Sequence, residues 1–245
     1  MIALSISAPF ATCRSFTAGW YRPSATFISP SMAYGLLLNF AGIEMRLLEG
    51  EEGHGGKVPA SLHRSGLPKM RLALGVPSSR GKQVQRDDPE AFPHVQTLYQ
   101  QLHNYPVGSS GQSRADDCKG SKYNITPVRR EFLSGLRAVI VVDAEATLLE
   151  QVRFGLENGG VRYGLPFLGD NNFLLEKASS LENLPPCYWY ERVDDDSSEL
   201  RPRTTRLTVW IDRVNSAGTA SSLYSPTSTA SNEVPPAAWT SIMPG

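Results

Sequence analysis

The stretch REFLSGLRAVIVVD, residues 130–143, constrains this chain more than any other. Its apolar run LRAVIVV at 136–142 reads as the clearest core strand of the sequence, and the fold must be built around it. The run is far too short to span a bilayer, as is GLLLNFAGI at 35–43, so no membrane-spanning helix and no membrane partner are expected.

The elements around this strand follow from periodicity and punctuation. Ile2, Leu4 and Ile6 alternate as a strand over 2–8, which leaves no basic stretch before the first apolar residues and argues against a signal peptide. A polar, aromatic-bearing loop covers 12–27. A helix then starts with Ser29 as N-cap and Pro30 in the first turn, carries Met32, Ala33, Leu36, Leu37 and Phe40 on one face, and closes at Gly42. A strand is predicted at 69–76, after a Gly-rich loop at 50–59. Residues 77–122 hold a basic run, a short amphipathic helix with Val95, Leu98, Tyr99 and Leu102 in register, and a Gly/Ser stretch; they read as a projecting insertion. After the core strand, Leu148, Leu149, Val152 and Leu156 line a helix that Gly159 and Gly160 end. The loop 164–172 leads to a last strand at 173–180.

The order is strand, helix, strand, insertion, strand, helix, loop, strand. It predicts an α+β, ferredoxin-like (RNA-recognition-like) domain over 1–182, with one helix-covered face and one face open to a ligand. Beyond it, 183–245 reads as a small β-rich C-terminal extension, with strand candidates at 187–193 and 205–214. Its Ser/Thr/Pro/Ala-rich end is a candidate tail that Trp239, Ile242 and Met243 give something to dock with.

Charge is neutral overall, 24 Lys+Arg against 24 Asp+Glu over 245 residues, which argues against a strongly basic nucleic-acid coat. The neutrality hides segregation. Residues 53–86 carry seven basic and no acidic side chains, 113–137 six basic and three acidic, and 138–200 four basic and twelve acidic. Such blocks suggest one face for a polyanion and another that is negative, although two solvated loops of chance composition look the same. Cys13, Cys118 and Cys187 form no C-x-x-C pair, so they read as idle thiols of a reducing compartment, the cytoplasm. No P-loop, dinucleotide fingerprint or nucleophile elbow is present, and His54, His63, His94 and His103 lack metal-ligand spacing. The Asp194–Asp196 run reads as a solvated turn. Neither a metal nor any other cofactor is expected.

Three segments suit contact with nucleic acid. The loop after the first strand carries Arg14, Phe16, Trp20, Tyr21 and Arg22, which combine phosphate contact with base stacking; Phe16 and Trp20 are equally suited to the core. Lys119, Lys122, Tyr123, Arg129 and Arg130 form a second group, or else a basic hairpin paired with the acidic half of the chain. Gly164 and Gly169 in the third loop leave backbone N–H groups accessible, as a plain turn also would.

Four stretches carry a family resemblance: ISAPFATCRSF (6–16), ISPSMAYGLLLNFAG (28–42), YNITPVRREFLSGLRAVIVVD (123–143) and GLPFLGDNNFLL (164–175). In this order they resemble the CRISPR-associated Cas-five family, in a type I-B-like form, the subunit that caps the 5′ end of the guide RNA in type I Cascade complexes. The resemblance spans roughly 1–180. It implies a binding module with no catalytic residues, whose partners are the crRNA 5′ handle, the Cas-seven backbone subunit, the large Cascade subunit and, as a further contact, target DNA near the PAM. Insertion 77–122 would be the family's thumb. The implied RNA-contacting residues are Arg14, Phe16, Tyr21, Arg22, Ser31, Tyr34, Lys122, Tyr123, Asn124, Arg129, Arg130, Gly164, Leu165, Gly169 and Asn171.

One branch of that family cleaves the guide precursor with a tyrosine, a lysine and a histidine, without metal. Tyr34 and Lys119 or Lys122 would fit two of these roles, but Lys122 is followed by Tyr123 and no histidine lies beyond His103. The missing general base favours binding over cleavage. A generic RNA-recognition protein is a third reading, weakened by the absence of an RNP1-like string.

Overall fold

A computed structural model describes residues 1–14, 21–51, 62–79, 88–106, 123–159, 164–193 and 201–244; for 101–106, 123–127 and Ser216 it describes the backbone alone. The chain begins with β1 (Ile2–Ala11), β2 (Cys13–Arg14), β3 (Tyr21–Arg22) and β4 (Ser24–Ala25), followed by α1 (Pro30–Ala41). Next come β5 (Met70–Pro77), β6 (His94–Pro106), β7 (Tyr123–Asp143) and α2 (Ala146–Asn158). The rest is β8 (Lys177–Leu181), β9 (Cys187–Val193), β10 (Thr205–Trp210), β11 (Ala220–Pro226) and β12 (Thr240–Ile242).

The fold is α+β and ferredoxin-like. Strands β8, β1, β7 and β5 lie side by side in that order, so two strand–helix–strand halves interleave with the first and third strands at the centre. Neighbours run antiparallel, with Leu4 opposite Ile140 and Leu74 opposite the same Ile140 on the other side. β7 is thus flanked on both edges, and its core half is covered on both faces. Ala138, Ile140 and Val142 join Leu4, Ile6 and α1 in the main core, while Val139 and Val141 pack with Ala73, Cys187, Trp189 and Ala238. Burial on both faces explains why this run is continuously apolar and does not alternate.

Both helices form where their punctuation places them. Ser29 Oγ accepts the Met32 N–H at 3.2 Å, Pro30 fills the first turn, and Gly42 closes α1 in the left-handed region (φ 73°). Gly159 ends α2 in the same conformation (φ 61°). The helices cross at Gly155, where a Cβ would lie 1.8 Å from the Phe40 carbonyl oxygen. Among the described residues no helix is long and apolar enough to cross a membrane.

Three expectations need correction. Residues 95–102 are not helical; they belong to β6, which pairs with β7 from His94 opposite Ser134 to Pro106 opposite Tyr123. Val95, Leu98 and Tyr99 do fit a helical spacing, but they have no core to face: Tyr99 is 76 % exposed. Hydrogen bonding to β7 decides the conformation in place of apolar burial. The described part of the insertion is therefore one arm of a long β-hairpin. The second face of the sheet is not simply open either, because Trp189, Ala238 and partly buried Val234 and Trp239 cover Val139 and Val141. Finally, of the two readings of the Ser/Thr/Pro/Ala-rich end the free tail is the one to drop: it docks into the sheet through Trp239 and Ile242, while Met243 stays exposed. Cys187 and Ser231 exchange backbone hydrogen bonds (2.8 and 2.9 Å), Trp189 Nε1 donates to the Ser231 carbonyl, and Ile242 pairs with Met70.

The C-terminal strands extend the same sheet, since β9 pairs with β5. At Gly75, opposite Trp189, a Cβ would meet the indole at 2.8 Å, so the close approach of the two strands depends on glycine.

Candidate nucleic-acid interface

β7 changes character at Gly135, whose φ of 69° only glycine adopts readily. Below it the buried positions are Leu136 and Ala138; above it they shift to Leu133, and Ala11 rather than Phe10 turns inward on β1. The bend carries the upper half of β7 out of the core and into the hairpin with β6. At this junction three other segments converge.

The first is β3, which lies parallel to β7 with Tyr21 opposite Arg129 and Arg22 opposite Arg130. The second is β2, held by β4 through Cys13 opposite Ala25, which places Arg14 at the same corner. The third is the loop over 164–174. Its Phe167–Leu174 bridge and the Phe173 N–H bond to the Asp170 carbonyl (2.8 Å) fold it tightly. Leu168 accepts the Thr12 N–H at 3.0 Å, and Gly169 (φ 78°) sits so close that a Cβ would fall 1.7 Å from the Thr12 carbonyl. The role of Gly169 here is close packing of backbone on backbone.

Convergence gathers four guanidinium groups, on Arg14, Arg22, Arg129 and Arg130, beside two carboxylates. Asp170 Oδ2 accepts from Arg14 at 2.8 Å and from Arg130 at 2.5 Å, while Asp170 Oδ1 accepts the Asn172 N–H at 3.2 Å. Arg130 also donates to Gln100 Oε1 at 2.7 Å. Burial opposes ionisation of Asp170, but the Arg130 hydrogen bond, the Asn172 N–H and the two positive charges outweigh it and hold the carboxyl below its ordinary range. Burial and then the Arg130 charge lower the Arg14 guanidinium below the usual arginine value.

On the other side of β7, Glu131 accepts from the Tyr21 hydroxyl and from the Ser24 N–H (3.1 Å). The hydrogen bond to Glu131 raises the Tyr21 phenol, so it stays protonated. The Arg129 guanidinium lies 5.4 Å from the Tyr21 ring centroid, and Arg129 Nε is buried with no partner among the described residues.

Next to Arg130 three phenylalanines cluster. Phe10 and Phe132 meet edge to face at 5.6 Å, and Phe173 lies 6.0 Å from both. Phe10 remains 46 % exposed. A ring set beside paired guanidiniums can take a phosphate and a base together.

Of the residues singled out in the sequence, Arg14, Tyr21, Arg22, Arg129 and Arg130 come together here. Gly164, Leu165 and Asn171 are exposed on the adjoining loop, whose start is tied to α1 by Asn39 Nδ2 donating to the Gly164 carbonyl (3.2 Å). Ser31 is half-buried in the first turn of α1, with its hydroxyl 3.0 Å from that of Ser29. Tyr34 must be withdrawn as a surface contact: it is wholly buried and donates to the Pro68 carbonyl at 2.9 Å, and burial drives its phenol far above the ordinary value. Phe16 and Lys122 lie outside the described residues, as do the side chains of Tyr123 and Asn124, whose backbones start β7. Asp170, Glu131, Gln100 and the three phenylalanines were not singled out. Phe10 was hidden by its phase: it continues the alternation of Ile2, Leu4 and Ile6 and so reads as a core position, whereas in the fold Ala11 turns inward in its place.

Among the described residues no three His, Cys, Asp or Glu side chains are grouped as metal ligands. Cys13 and Cys187 are buried, and burial pushes both thiols up to about 12. His63 is half-buried against Trp210, at 5.2 Å.

No family model matches this chain, and no curated protein matches it in sequence. Solved structures do. A chain described as "Crystal structure of Cas protein" has a TM-score of 0.42 at 10 % identity, over 92 % of this chain and 93 % of that one. A chain of a "CRISPR RNA-guided surveillance complex" has a TM-score of 0.52 at 9 % identity, over 94 % of this chain and 90 % of that one. Over nearly its whole length, then, this chain shares its fold with a chain of a CRISPR RNA-guided surveillance complex.

Proposed function

We propose that this protein is a non-catalytic RNA-binding subunit of a type I CRISPR Cascade complex, of the Cas-five kind. It binds and caps the 5′ handle of the crRNA and contacts the backbone and large subunits, with target DNA near the PAM as a further contact. The observation that carries this reading is the corner where β2, β3, β7 and the 164–174 loop meet: Arg14, Arg22, Arg129 and Arg130 stand beside the Tyr21 and Phe10–Phe132–Phe173 rings. Single-stranded handle nucleotides, with splayed bases and accessible phosphates, suit such a surface. The shared fold with a chain of an RNA-guided surveillance complex supports the setting. The β6–β7 hairpin leaves the sheet at the same corner and suits contact with a neighbouring subunit while RNA lies at its base.

Binding without cleavage is the reading preferred over a metal-independent endoribonuclease. Its support is the burial of Tyr34, whose hydroxyl is committed to Pro68 and cannot reach a 2′-hydroxyl from the core. The test is to incubate the purified chain with labelled repeat RNA in EDTA, and to co-express it with its genomic neighbours and sequence the RNA that co-purifies. Uncleaved repeat RNA and a recovered complex carrying guide RNA are expected. A discrete product lost in Lys122→Ala would replace binding by cleavage, and a complex without this chain would overturn the assignment.

A further inference from the structure

Asp170 sits between two guanidiniums. Its Oδ2 is shared by Arg14, from β2, and Arg130, from β7, at 2.8 and 2.5 Å. These arginines stand 116 positions apart in the sequence, so the seat exists only in the folded protein. Asp170 itself is carried on a tightly folded turn locked against Thr12, and its side chain is only 12 % exposed. The carboxylate is therefore a tethered anion at high effective concentration, not a loosely held surface partner. Arg14 is not used up by it: it meets the carboxylate through one terminal nitrogen, and its side chain remains 39 % exposed.

We propose that Asp170 is an internal stand-in for phosphate that a nucleic-acid strand must displace, so that it sets the affinity threshold of the arginine corner. The proposal rests on the RNA-binding reading above. Any phosphate entering between Arg14 and Arg130 faces the same competitor, which weakens every polyanion by a similar factor. Ligands made of phosphates alone then fall below useful affinity. A strand that adds bases stacked on Phe10, Phe132 and Phe173 stays bound, because ring contacts are indifferent to the competing carboxylate. The carboxylate thus sets a threshold common to all polyanions, and the preference for nucleic acid comes from the rings that let a strand clear it.

The experiment uses the full chain, with inorganic polyphosphate and a labelled oligo(U) strand as probes. Asp170→Asn is expected to bind both about tenfold more tightly at moderate salt, the scale of one charge-assisted contact no longer competed for. The gain should vanish in an Arg14→Ala, Arg130→Ala background. A gain is a readout that a misfolded or merely loosened corner does not produce. Unchanged or weakened binding, or a gain that persists without the two arginines, overturns the proposal. Asp170→Ser keeps an acceptor for the Asn172 N–H and repeats the test if the Asn variant does not fold; failure of both to fold makes Asp170 structural and also overturns it. If wild type and Asp170→Asn both ignore oligo(U) while polyphosphate binding still rises, the stand-in holds and the RNA-binding reading falls.

Discussion

At the scale of single residues, the candidate interface turns on how few groups neutralise its arginines. Asp170 answers Arg14 and Arg130, and Glu131 spends both oxygens on Tyr21 and the Ser24 backbone, leaving Arg129 with a ring contact and an unpartnered Nε among the described residues. The pairing of Asp170 has a pH signature. Its carboxyl is depressed in the folded protein, so its contribution is fully present above the unfolded value of about 3.9 and is lost as pH falls through the folded value. Wild type is expected to be more stable than Asp170→Asn at neutral pH, and the gap in denaturant midpoint should close as the pH drops below about 4. A gap that stays constant down to acid pH would mean that Asp170 holds the corner by shape alone. The four arginines and Tyr21 were legible in the sequence by residue type, because arginine beside tyrosine announces its chemistry locally. Phe10, Phe132 and Phe173 were not, since only the fold brings their rings together. Asp170 was not, since its partner Arg14 is 156 residues away and only the fold joins them. Tyr34 failed for the opposite reason: its neighbours looked like a motif, while its ring completes the core.

At the scale of elements, local signals sufficed wherever an element's own residues bury it. The β1, α1, β5, β7 and α2 segments carry caps and apolar spacing that the structure bears out, down to Ser29, Gly42 and Gly159. β6 did not follow this rule. Val95, Leu98 and Tyr99 recur at a helical spacing but face solvent, and the pairing that makes it a strand comes from β7, a distant segment. The bend at Gly135, which gives the hairpin its direction, likewise has no local signature beyond a glycine within a strand pattern. Packing of α1 on α2 is more exacting than either helix alone, because Gly155 lets the α2 backbone rest on the Phe40 carbonyl. A side chain there meets backbone, which cannot swing aside. Gly155→Leu should therefore destabilise the fold by about 3 kcal/mol, at the upper end of overpacking costs, whereas helix propensity alone would favour it. Equilibrium urea unfolding measures this, and a midpoint equal to or above wild type would show that the helices separate without penalty.

For the whole molecule, the neutral total of 24 basic and 24 acidic residues is the sum of unlike segments. The C-terminal segment adds a further division of labour. By covering Val139 and Val141 it converts the centre of the second sheet face into core, and leaves the junction with the hairpin as the place where arginines and rings meet. Binding strength should then follow that corner and not the net charge. A neutral protein with no local concentration of cations would show little dependence of affinity on salt. For single strands the logarithm of affinity falls with the logarithm of salt by about 0.7 for each phosphate contact neutralised. Replacing Arg129 and Arg130 together by alanine is accordingly expected to reduce the slope for oligo(U) by about 1.4 while leaving the melting temperature within a few degrees of wild type. A slope that does not move, with the variant folded, would place the RNA on some other surface, the basic residues of 53–86 being the next to test by the same measurement.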